Sequence, residues 1–402
     1  MNGGTPTTDP EFWDGEVPWA TPVDLGKNDG STIAATERTL TPLGVARGSS
    51  LTPDGSVLLS CRAPIGYTAL TARAMSFNQG CKSIVPLDGV DGRYLQYSLI
   101  SAKSQVASLG NGSTFLELSS ESIASLSILL WPIEEQRRIV DFLDDRVARI
   151  DWMIAARQRQ THLIRERFKA RREVAVRGLK GTSVPAGTWI GRLSAGWEVR
   201  RLGSLVRFYA GSGFPPETQG STSGDLPFAK VSDMQLADDQ RNLTGANNWV
   251  SLAQAQQLKA QAAPEHTIIF PKVGAALLTN SRAVLMREMT FDNNVMGINF
   301  AGLPCRFWFH VLSVIDMGQL ANPGPVPSVN REAVAELRVP FPEVDEQAEI
   351  GRSLDHAMLQ VEQQARQLHA SVRLLTEYKQ SLITAAVTGE LDVTTAGSGI
   401  PG

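Results

Sequence analysis

Basic, amide and hydroxyl side chains stand in several turn-forming stretches of this chain, where neighbouring glycine and proline residues indicate loops. On such loops, Arg or Lys can hydrogen-bond to guanine or to phosphate, Asn or Gln to adenine, and Ser or Thr to either base. The candidate residues of this kind are Arg62, Lys103, Asn111, Ser113, Thr114, Lys230, Lys272, Asn280, Arg282, Ser328 and Asn330. For each of them, an ordinary place on the protein surface is the alternative.

Sequence motifs of nucleotide-hydrolysing, methyl-transferring or zinc-dependent enzymes are missing from the chain. The five histidines and three cysteines have no metal-ligand spacing, so we expect neither catalysis nor a metal or other cofactor. Acidic pairs such as Asp144-Asp145 are interpreted as solvated helix surface. Thiols without a Cys-x-x-Cys pair are typical of a reducing cytosol, and no signal peptide or long apolar run is present, so a cytoplasmic protein is expected.

Two long helices are predicted to connect or position these loops, because one helix-forming stretch of sequence occurs twice. Glu135-Gln136 returns as Glu346-Gln347, and Ala175 to Gly178 returns as Ala386 to Gly389, both at an offset of 211 residues. A proline precedes each run and a glycine ends it, as at the two ends of a helix. Each run predicts a helix of about 44 residues, roughly 65 Å long. Helices of that length do not fit inside a small domain, so we expect them to lie against each other.

The second run has apolar residues at every seventh position, which is typical of a coiled coil. The first run is less regular, because Arg157 and Arg171 interrupt the corresponding row. The predicted seam consists of Gln136, Leu143, Ile150 and Ile164 in the first helix and Gln347, Leu354, Val361, Leu368, Leu375 and Leu382 in the second.

The segments before the helices also repeat. Arg93-Tyr-Leu-Gln-Tyr97 matches Arg306-Phe-Trp-Phe-His310, and short β-rich runs separated by glycine and proline turns predict a mixed α/β module in each copy. The expected organisation is a first module over 1–132, a long helix over 133–180, a second module over 181–341, a second long helix over 342–391 and a flexible tail over 392–402.

This duplicated set resembles the specificity subunits of type I restriction-modification enzymes over essentially the full chain. The residues that carry the resemblance are Trp131-Pro132 to Gln136, Ala175 to Gly178, Phe341-Pro342 to Gln347, Ala386 to Leu391, and the module openings Gly3 to Pro6 and Gly211 to Pro215. The resemblance implies an α+β fold of two tandem mixed α/β target recognition domains, each followed by a long helix, with the two helices forming an antiparallel coiled coil.

The same resemblance implies the partners. Each domain would read one half of a bipartite, asymmetric double-stranded DNA target. The paired helices would space the domains and dock two methyltransferase subunits, together with restriction subunits that act as translocase and nuclease.

One departure from the repeat stands at the start of the chain. The segment Trp197 to Phe208 precedes the Gly211 opening of the second module, whereas Gly3 of the first module is almost the first residue. We therefore expect the first module to lack its opening strand.

Charge does not decide between the remaining interpretations. The net charge is −3, yet residues 136–180 hold 13 Lys and Arg against 6 Asp and Glu, so the first helix is basic. A basic helix face is either solvated or directed to phosphates or an acidic partner. The alternatives to a type I subunit are a coiled-coil scaffold of two interaction modules without DNA binding, or the specificity subunit of another bipartite-site DNA methylation system.

Overall fold

The computed structural model describes residues 1–62, 64–109, 117–179, 183–322 and 324–394. These residues fold into two units of mixed α/β structure. The N-terminal unit comprises Met1–Arg157 with Ala370–Gly402, and the central unit comprises Gln158–His369. Of the tail expected over 392–402, residues 395–402 lie outside the described residues.

The N-terminal unit is built from short strands and helices ahead of one long helix. Its strands are β1 (Trp13–Ala20), β2 (Ser31–Ile33), β3 (Arg38–Leu40), β4 (Ser50–Thr52), β5 (Val57–Ser60), β6 (Thr68–Thr71), β7 (Met75–Phe77) and β8 (Cys81–Ile84). The helices of this part are α1 (Pro22–Lys27), α2 (Pro42–Gly48), α3 (Gly92–Ser101), α4 (Lys103–Ser108), α5 (Ser120–Ala124) and the long α6 (Ile133–Val176). One sheet has the order β2-β6-β5-β8 and the other β3-β1-β7-β4.

The central unit follows the same plan with added strands. Its strands are β9 (Ser183–Gly187), β10 (Gly191–Ser194), β11 (Glu198–Arg201), β12 (Arg207–Ala210), β13 (Leu226–Ala229), β14 (Asn242–Leu243), β15 (Asn248–Val250), β16 (Ile268–Pro271), β17 (Ala283–Leu285), β18 (Thr290–Phe291), β19 (Val295–Asn299) and β20 (Arg338–Phe341). The helices are α7 (Leu252–Gln257), α8 (Ala275–Leu278), α9 (Cys305–Val314), α10 (Arg331–Ala335) and the long α11 (Val344–Thr388).

The sheet topology repeats between the units. In the central unit the main sheet has the order β12-β19-β16-β17-β14, which is the N-terminal order β8-β5-β6-β2 with β12 added at one edge. The pairing directions agree as well, since β2 is parallel to β6 as β14 is to β17, and β5 is antiparallel to β6 as β16 is to β17. The duplication expected from the sequence is therefore present in the strand connections.

The central strands are buried throughout because both of their faces are covered. All four residues of β5 are buried, as are all four of β16. Val57 of β5 belongs to an apolar cluster with Leu95 and Leu99 of α3, whereas Leu58 lies in the cluster that holds Phe77 of the second sheet. Helix α3 and the second sheet thus enclose β5 from its two sides.

Both predicted long helices are confirmed, with 44 residues in α6 and 45 in α11. Each ends at a glycine in the left-handed backbone region, Gly178 with φ of 65° and Gly389 with φ of 79°. A Cβ added at Gly178 would stand 2.8 Å from the Trp197 ring, and one at Gly389 would stand 2.7 Å from the Trp131 ring. Glycine is required at both positions by backbone conformation and by the tryptophan packed over it.

Candidate nucleic-acid interface

The loop after the central strand has the same backbone frame in both units. In the N-terminal unit the Leu118 N–H donates to the Cys61 carbonyl at 2.8 Å, and in the central unit the Val329 N–H donates to the Lys272 carbonyl at 2.9 Å. Isolated bridges then pair Arg62 with Glu117, and Val273 with Ser328. The buried Cys61 of the N-terminal unit thus occupies the position that Lys272 takes in the central unit.

The predicted cations of the N-terminal unit are already paired with carboxylates. Arg62 Nη2 lies 3.1 Å from Glu117 Oε2, and Lys103 Nζ lies 2.8 Å from Asp29 Oδ2. These side chains are about half exposed, where an ion pair contributes roughly 0–1 kcal/mol. Either cation can exchange its carboxylate for a phosphate at small cost. Asn111, Ser113 and Thr114 lie outside the described residues.

Three predicted residues of the central unit meet in one cleft. Lys272, Ser328 and Asn330 line a cavity of about 480 Å³ together with Phe208 and Arg331. Within the described part of the chain, Lys272 takes part in no ion pair. The Arg331 guanidinium lies 5.2 Å above the Phe208 ring, a cation–π contact that leaves its positive charge uncompensated. This cleft can bind an anion.

Asn330 also has a structural role in that cleft. Its Oδ1 accepts a hydrogen bond from the Ala333 N–H at 2.7 Å and caps α10. Ser119 caps α5 in the same way, accepting from the Ser122 N–H at 3.0 Å. The cap recurs in both units, so the amide oxygen of Asn330 is committed to the helix start.

Two residues predicted to contact DNA make contacts within the protein, and one of them, Arg282, is buried, which corrects the expectation for that residue. Asn280 has a left-handed φ of 51°, and its side chain bonds Asp316 Oδ1 at 2.9 Å and the Met317 N–H at 3.0 Å. Arg282 is 3% exposed and donates to the Ile315 carbonyl at 2.7 Å. Burial lowers the pKa of this guanidinium to about 10. Arg282 is therefore buried away from any DNA contact, and the Asn280 side chain is engaged by Asp316 and Met317.

Lys230 stands apart from the cleft lined by Lys272. Its ammonium bonds Gln219 Oε1 and lies 5.3 Å from the centre of the Phe214 ring. The lysine is partly buried and closes the turn that follows β13.

The seam between the long helices is antiparallel within each unit. In the N-terminal unit Leu143 and Ile150 are fully buried in a cluster with Leu382, and Leu375 packs against it. An ion pair of 2.7 Å joins Lys379 to Asp151 nearby. The antiparallel arrangement of the predicted coiled coil is confirmed here.

In the central unit the seam contains Leu354, which is buried with Phe168, and Val361, which is partly buried against the same cluster. Arg165 of α6 pairs with Glu362 of α11 at 3.1 Å. The remaining predicted seam residues, Ile164 and Leu368, are only half-buried.

Gln136 and Gln347 anchor the starts of the helices rather than filling the seam. Gln136 is fully buried, accepts from the Asp91 N–H at 2.8 Å and donates to the carbonyls of Gly89 at 2.9 Å and Trp131 at 2.7 Å. Gln347 is equally buried and donates to the Pro342 carbonyl at 2.9 Å. The repeated glutamine ties each long helix to the loop before it.

A second repeated feature, which the sequence interpretation missed, fixes each module on a long helix. Arg93 Nε and the Tyr97 hydroxyl of α3 donate to Asp144 Oδ1 at 2.8 and 2.5 Å. The Asp144 side chain is 46% exposed, in line with the predicted solvated surface, but it also accepts these two hydrogen bonds. The missed signal was that the Arg93 to Tyr97 repeat and Asp144 recur together in the second copy.

In the central unit the same contact is made by Arg306, His310 and Asp355. Arg306 Nη2 lies 2.6 Å and His310 Nε2 lies 2.9 Å from Asp355 Oδ1. His310 is fully buried, and burial lowers its pKa to about 4, while Arg172 and Arg306 oppose its protonation and the bond to Asp355 favours it. The histidine is therefore neutral, with Nε2–H as donor.

Part of the positive charge on α6 is compensated within the helix. Arg137, Arg138 and Arg149 pair with acidic residues three or four positions earlier, at 2.8 to 3.0 Å. Arg172 is buried, which lowers its pKa to about 10. The excess charge of this helix is thus partly neutralised, in agreement with the solvated-face interpretation for those three residues.

The described ranges contain neither a metal-binding cluster nor a membrane-spanning helix. Those residues contain no cluster of acidic, His and Cys side chains suited to a metal ion. No described helix combines the length and the apolar character needed to span a membrane.

The chain is similar to known proteins in sequence. The family described as the type I restriction modification DNA specificity domain matches residues 1–158. The specificity subunit of the type I restriction enzyme MjaIX from Methanocaldococcus jannaschii is 28% identical over 317 residues, 76% of this chain and 71% of that protein. The specificity subunit of EcoR124I/EcoR124II from Escherichia coli is 28% identical over 151 residues, 35% of this chain and 37% of that protein.

Solved structures share the fold. A chain from work on complex assembly and conformational transition of the type I R-M system superimposes with a TM-score of 0.73 at 16% identity, covering 97% of this chain and 95% of that one. The HsdS subunit from Thermoanaerobacter tengcongensis gives a TM-score of 0.50 at 17% identity, with the same coverage of 97% and 95%.

Proposed function

We propose that the chain is a non-catalytic specificity subunit of a type I restriction-modification system and that it reads a bipartite, asymmetric DNA target. Each unit would read one half of that target. Bound methyltransferase subunits would then modify it, and restriction subunits would cleave DNA that carries the unmodified target.

The observation that carries the proposal is a repeated frame with different loop chemistry. Both units use the same strand order and the same Arg–Asp anchor, yet the equivalent loop positions hold Cys61 and Arg62 in one unit and Lys272 and Val273 in the other. Base edges are distinguished by the donors and acceptors that face them. Two frames of the same shape with different donors are suited to two different half-sites.

The residues proposed to contact DNA are those that remain accessible. They are Arg62 and Lys103 in the N-terminal unit and Lys272, Ser328 and Lys230 in the central unit. Asn111, Ser113 and Thr114 stay in the proposal on their residue types alone. Lys272 and Arg331 line one cleft and pair with no acidic residue in the described part of the chain, so their charges would supply the phosphate affinity on which base reading depends.

Docking of the partner subunits is proposed for the outer surface of the long helices. These helices expose large apolar side chains, with Trp152 at 72%, Leu374 at 60% and Leu163 at 47% of their full accessibility. A tryptophan exposed to this degree on a helix is a typical anchor of a protein interface.

Co-expression with cognate methyltransferase subunits tests the proposed function. We expect methylome sequencing to return a split motif whose halves differ and are separated by unread bases, and a mobility shift that needs this chain. A continuous or palindromic motif contradicts the bipartite target. If methylation is unaffected when the chain is deleted, the scaffold alternative replaces the proposal.

Trp152→Arg tests the docking part separately. The variant should lose capture of methyltransferase subunits, whereas Glu134→Ala, an exposed change on the same helix, should keep it. Equal capture by both variants removes Trp152 from the docking surface without touching the DNA proposal.

A further inference from the structure

Another cavity of the central unit, separate from the cleft of Lys272, has a volume of about 1160 Å³. Its walls come from α6, α8, α11 and the end of α9, together with the turn after β13, and all of its lining residues lie within Gln158–His369. A small-molecule site typically has a volume of about 300–1,000 Å³. This cavity is therefore large enough for a small organic ligand.

Two arginines line this cavity without an ion pair. Arg172 and Arg282 pair with no acidic side chain in the part of the chain that the structure describes. The buried Nε of each arginine has no hydrogen-bond partner there. Arg172 Nη2 lies 3.6 Å from Met358 Sδ, a weak acceptor, and the Arg172 guanidinium lies 4.5 Å from the centre of the Phe168 ring. Each guanidinium group thus keeps an Nε–H donor without an acceptor.

The positive charges of these arginines are incompletely balanced within the protein. Burial lowers the pKa of each guanidinium to about 10, and the charge of Arg172 adds to the shift at Arg282. Asp355, which favours the charged form of Arg172, is already bonded to Arg306 and His310. Arginine stays protonated at neutral pH, so an additional anion would stabilise both charges.

Acidic residues on the same cavity are closer to solvent than the arginines. Asp316, which favours the charged form of Arg282, is exposed and accepts a hydrogen bond from the Gly318 N–H at 2.9 Å. The other acidic residues of the lining are all more exposed than Arg282, and they are Glu166, Glu173, Asp238, Asp239 and Glu362. Water and salt screen these carboxylates more than the buried guanidinium groups. The interior of the cavity is therefore the favourable place for an anion.

The shared frame of the two units requires neither arginine, because the N-terminal unit has uncharged residues at both places. At the offset of 211 residues, Arg172 corresponds to Ile383, which is buried in the N-terminal core. Thr68 holds the position of Arg282, since each stands one residue before the alanine that pairs with the central strand. Two buried charges that the frame does not need point to a function of the central unit alone.

We propose that this cavity binds the phosphate group of a small molecule, with Arg172 and Arg282 as its cationic partners. Arg172 offers its planar fork of donors to the phosphate oxygens, and Arg282 offers its Nε–H. Two guanidinium groups match a doubly charged phosphate better than a singly charged carboxylate. Apolar side chains of the lining, Phe168, Phe309 and Met358, would contact the organic part of a phosphate ester. The inference does not depend on DNA recognition.

Hydrogen exchange of the full chain, measured at constant ionic strength, tests the site with two sources of phosphate. Inorganic phosphate or adenosine 5′-monophosphate should slow exchange in the turn 279–282, by about tenfold at a concentration about ten times the Kd. Tighter binding of the nucleotide indicates an organic phosphate, and tighter binding of inorganic phosphate indicates the free ion. Adenosine, which lacks the phosphate, should have no effect. If neither phosphate slows exchange, or if only duplex DNA does so, the proposal is overturned.

Matched variants of the chain locate the phosphate. Arg172→Ile introduces the residue type of Ile383 and should weaken phosphate binding, measured by calorimetry, by about ten- to a hundredfold. Arg167→Ile makes the same change at an exposed position of α6 outside the cavity lining, and should bind phosphate normally. Lys272→Ala should also keep this binding, because Lys272 lines the other cleft. Unchanged binding in Arg172→Ile, or equal loss in Arg167→Ile, overturns the proposal.

Thermal unfolding separates a binding role of Arg172 from a structural one. Phosphate should raise the Tm of the wild-type chain but not that of Arg172→Ile, which without phosphate should be at least as stable because a buried charge has been removed. Arg172→Lys keeps the charge but lacks the planar fork, and should bind phosphate about tenfold more weakly than the wild type. Equal phosphate affinity of Arg172→Lys and the wild type, or an equal rise in the Tm of Arg172→Ile, contradicts the proposed site.

Discussion

The N-terminal and central units solve one problem with two sets of residues. Each must hold its module on a long helix, and each does so with an arginine on α3 or α9 that reaches an aspartate on α6 or α11. The N-terminal unit adds the Tyr97 hydroxyl and leaves the Asp144 side chain 46% exposed, whereas the central unit adds the buried His310 ring and leaves Asp355 13% exposed. The same geometry is therefore partly solvated in the N-terminal unit and largely buried in the central unit, where a histidine takes part in it.

The largest expected difference comes from removing the two aspartates. Asp355→Ala leaves Arg306 and His310 without their acceptor in a dry site, and should destabilise the central unit by about 3–5 kcal/mol. Asp144→Ala should cost the N-terminal unit only about 1 kcal/mol, because water replaces the carboxylate. Urea unfolding followed by hydrogen exchange in each unit measures both values. Equal losses would show that burial does not separate the two anchors.

The two helix-start glutamines should differ in the same experiment. Gln136→Ala removes three hydrogen bonds and leaves buried backbone groups unpaired, for an expected loss of about 2–3 kcal/mol. Gln347→Ala removes one hydrogen bond, and Gln347 Oε1 has no partner within the described residues. The free energy of unfolding should therefore fall by about 1 kcal/mol. A larger loss in Gln347→Ala would reverse this ranking.

Acidic pH should destabilise the central unit through protonation of His310. Its pKa is about 4 in the folded chain, below the ordinary value of 6.5, so the unfolded chain binds the proton first as pH falls. The stability of the central unit is then lost from about pH 6.5 downward, by about 1.4 kcal/mol per pH unit and about 2 kcal/mol at pH 5.

His310→Gln is the matched control for the acid effect. The amide can still donate to Asp355 but does not titrate, so the variant should lose the extra acid sensitivity between pH 6.5 and 5. The N-terminal unit, with Tyr97 at this position, serves as the internal reference. An acid response that persists in the variant assigns the effect to another group.

The smallest expected effects are on DNA affinity. Lys272→Ala removes an unpaired charge and should weaken binding by about tenfold while lowering the salt slope by about one unit. Arg62→Ala should weaken DNA binding by only about two- to threefold, because the arginine must first leave its ion pair with Glu117. Filter binding across a salt series measures both. Identical salt slopes in the two variants would remove the distinction between paired and unpaired cations.

Repetition made the helices and the mixed α/β class predictable, because a constant offset preserves which residues share a helix face. The ends of α6 and α11 followed from Gly178 and Gly389, whose left-handed backbone disfavours other residues. Residue type was a weaker guide to the site. It found Lys272 and Ser328, which share a cleft, but it also selected Arg282, since a sequence shows a cation without its burial.

The sequence by itself determined two long apolar-striped helices and two copies of one module, since both depend on local pattern or on comparison of the chain with itself. Only the tertiary structure decided which polar groups are consumed inside the protein. Asp144, Asp355 and Gln136 became anchors because residues 45 to 51 positions away in sequence fold onto them, whereas Gln347 bonds Pro342, five positions before it. Burial and partner choice depend on three-dimensional packing, and neither can be read from spacing along the chain.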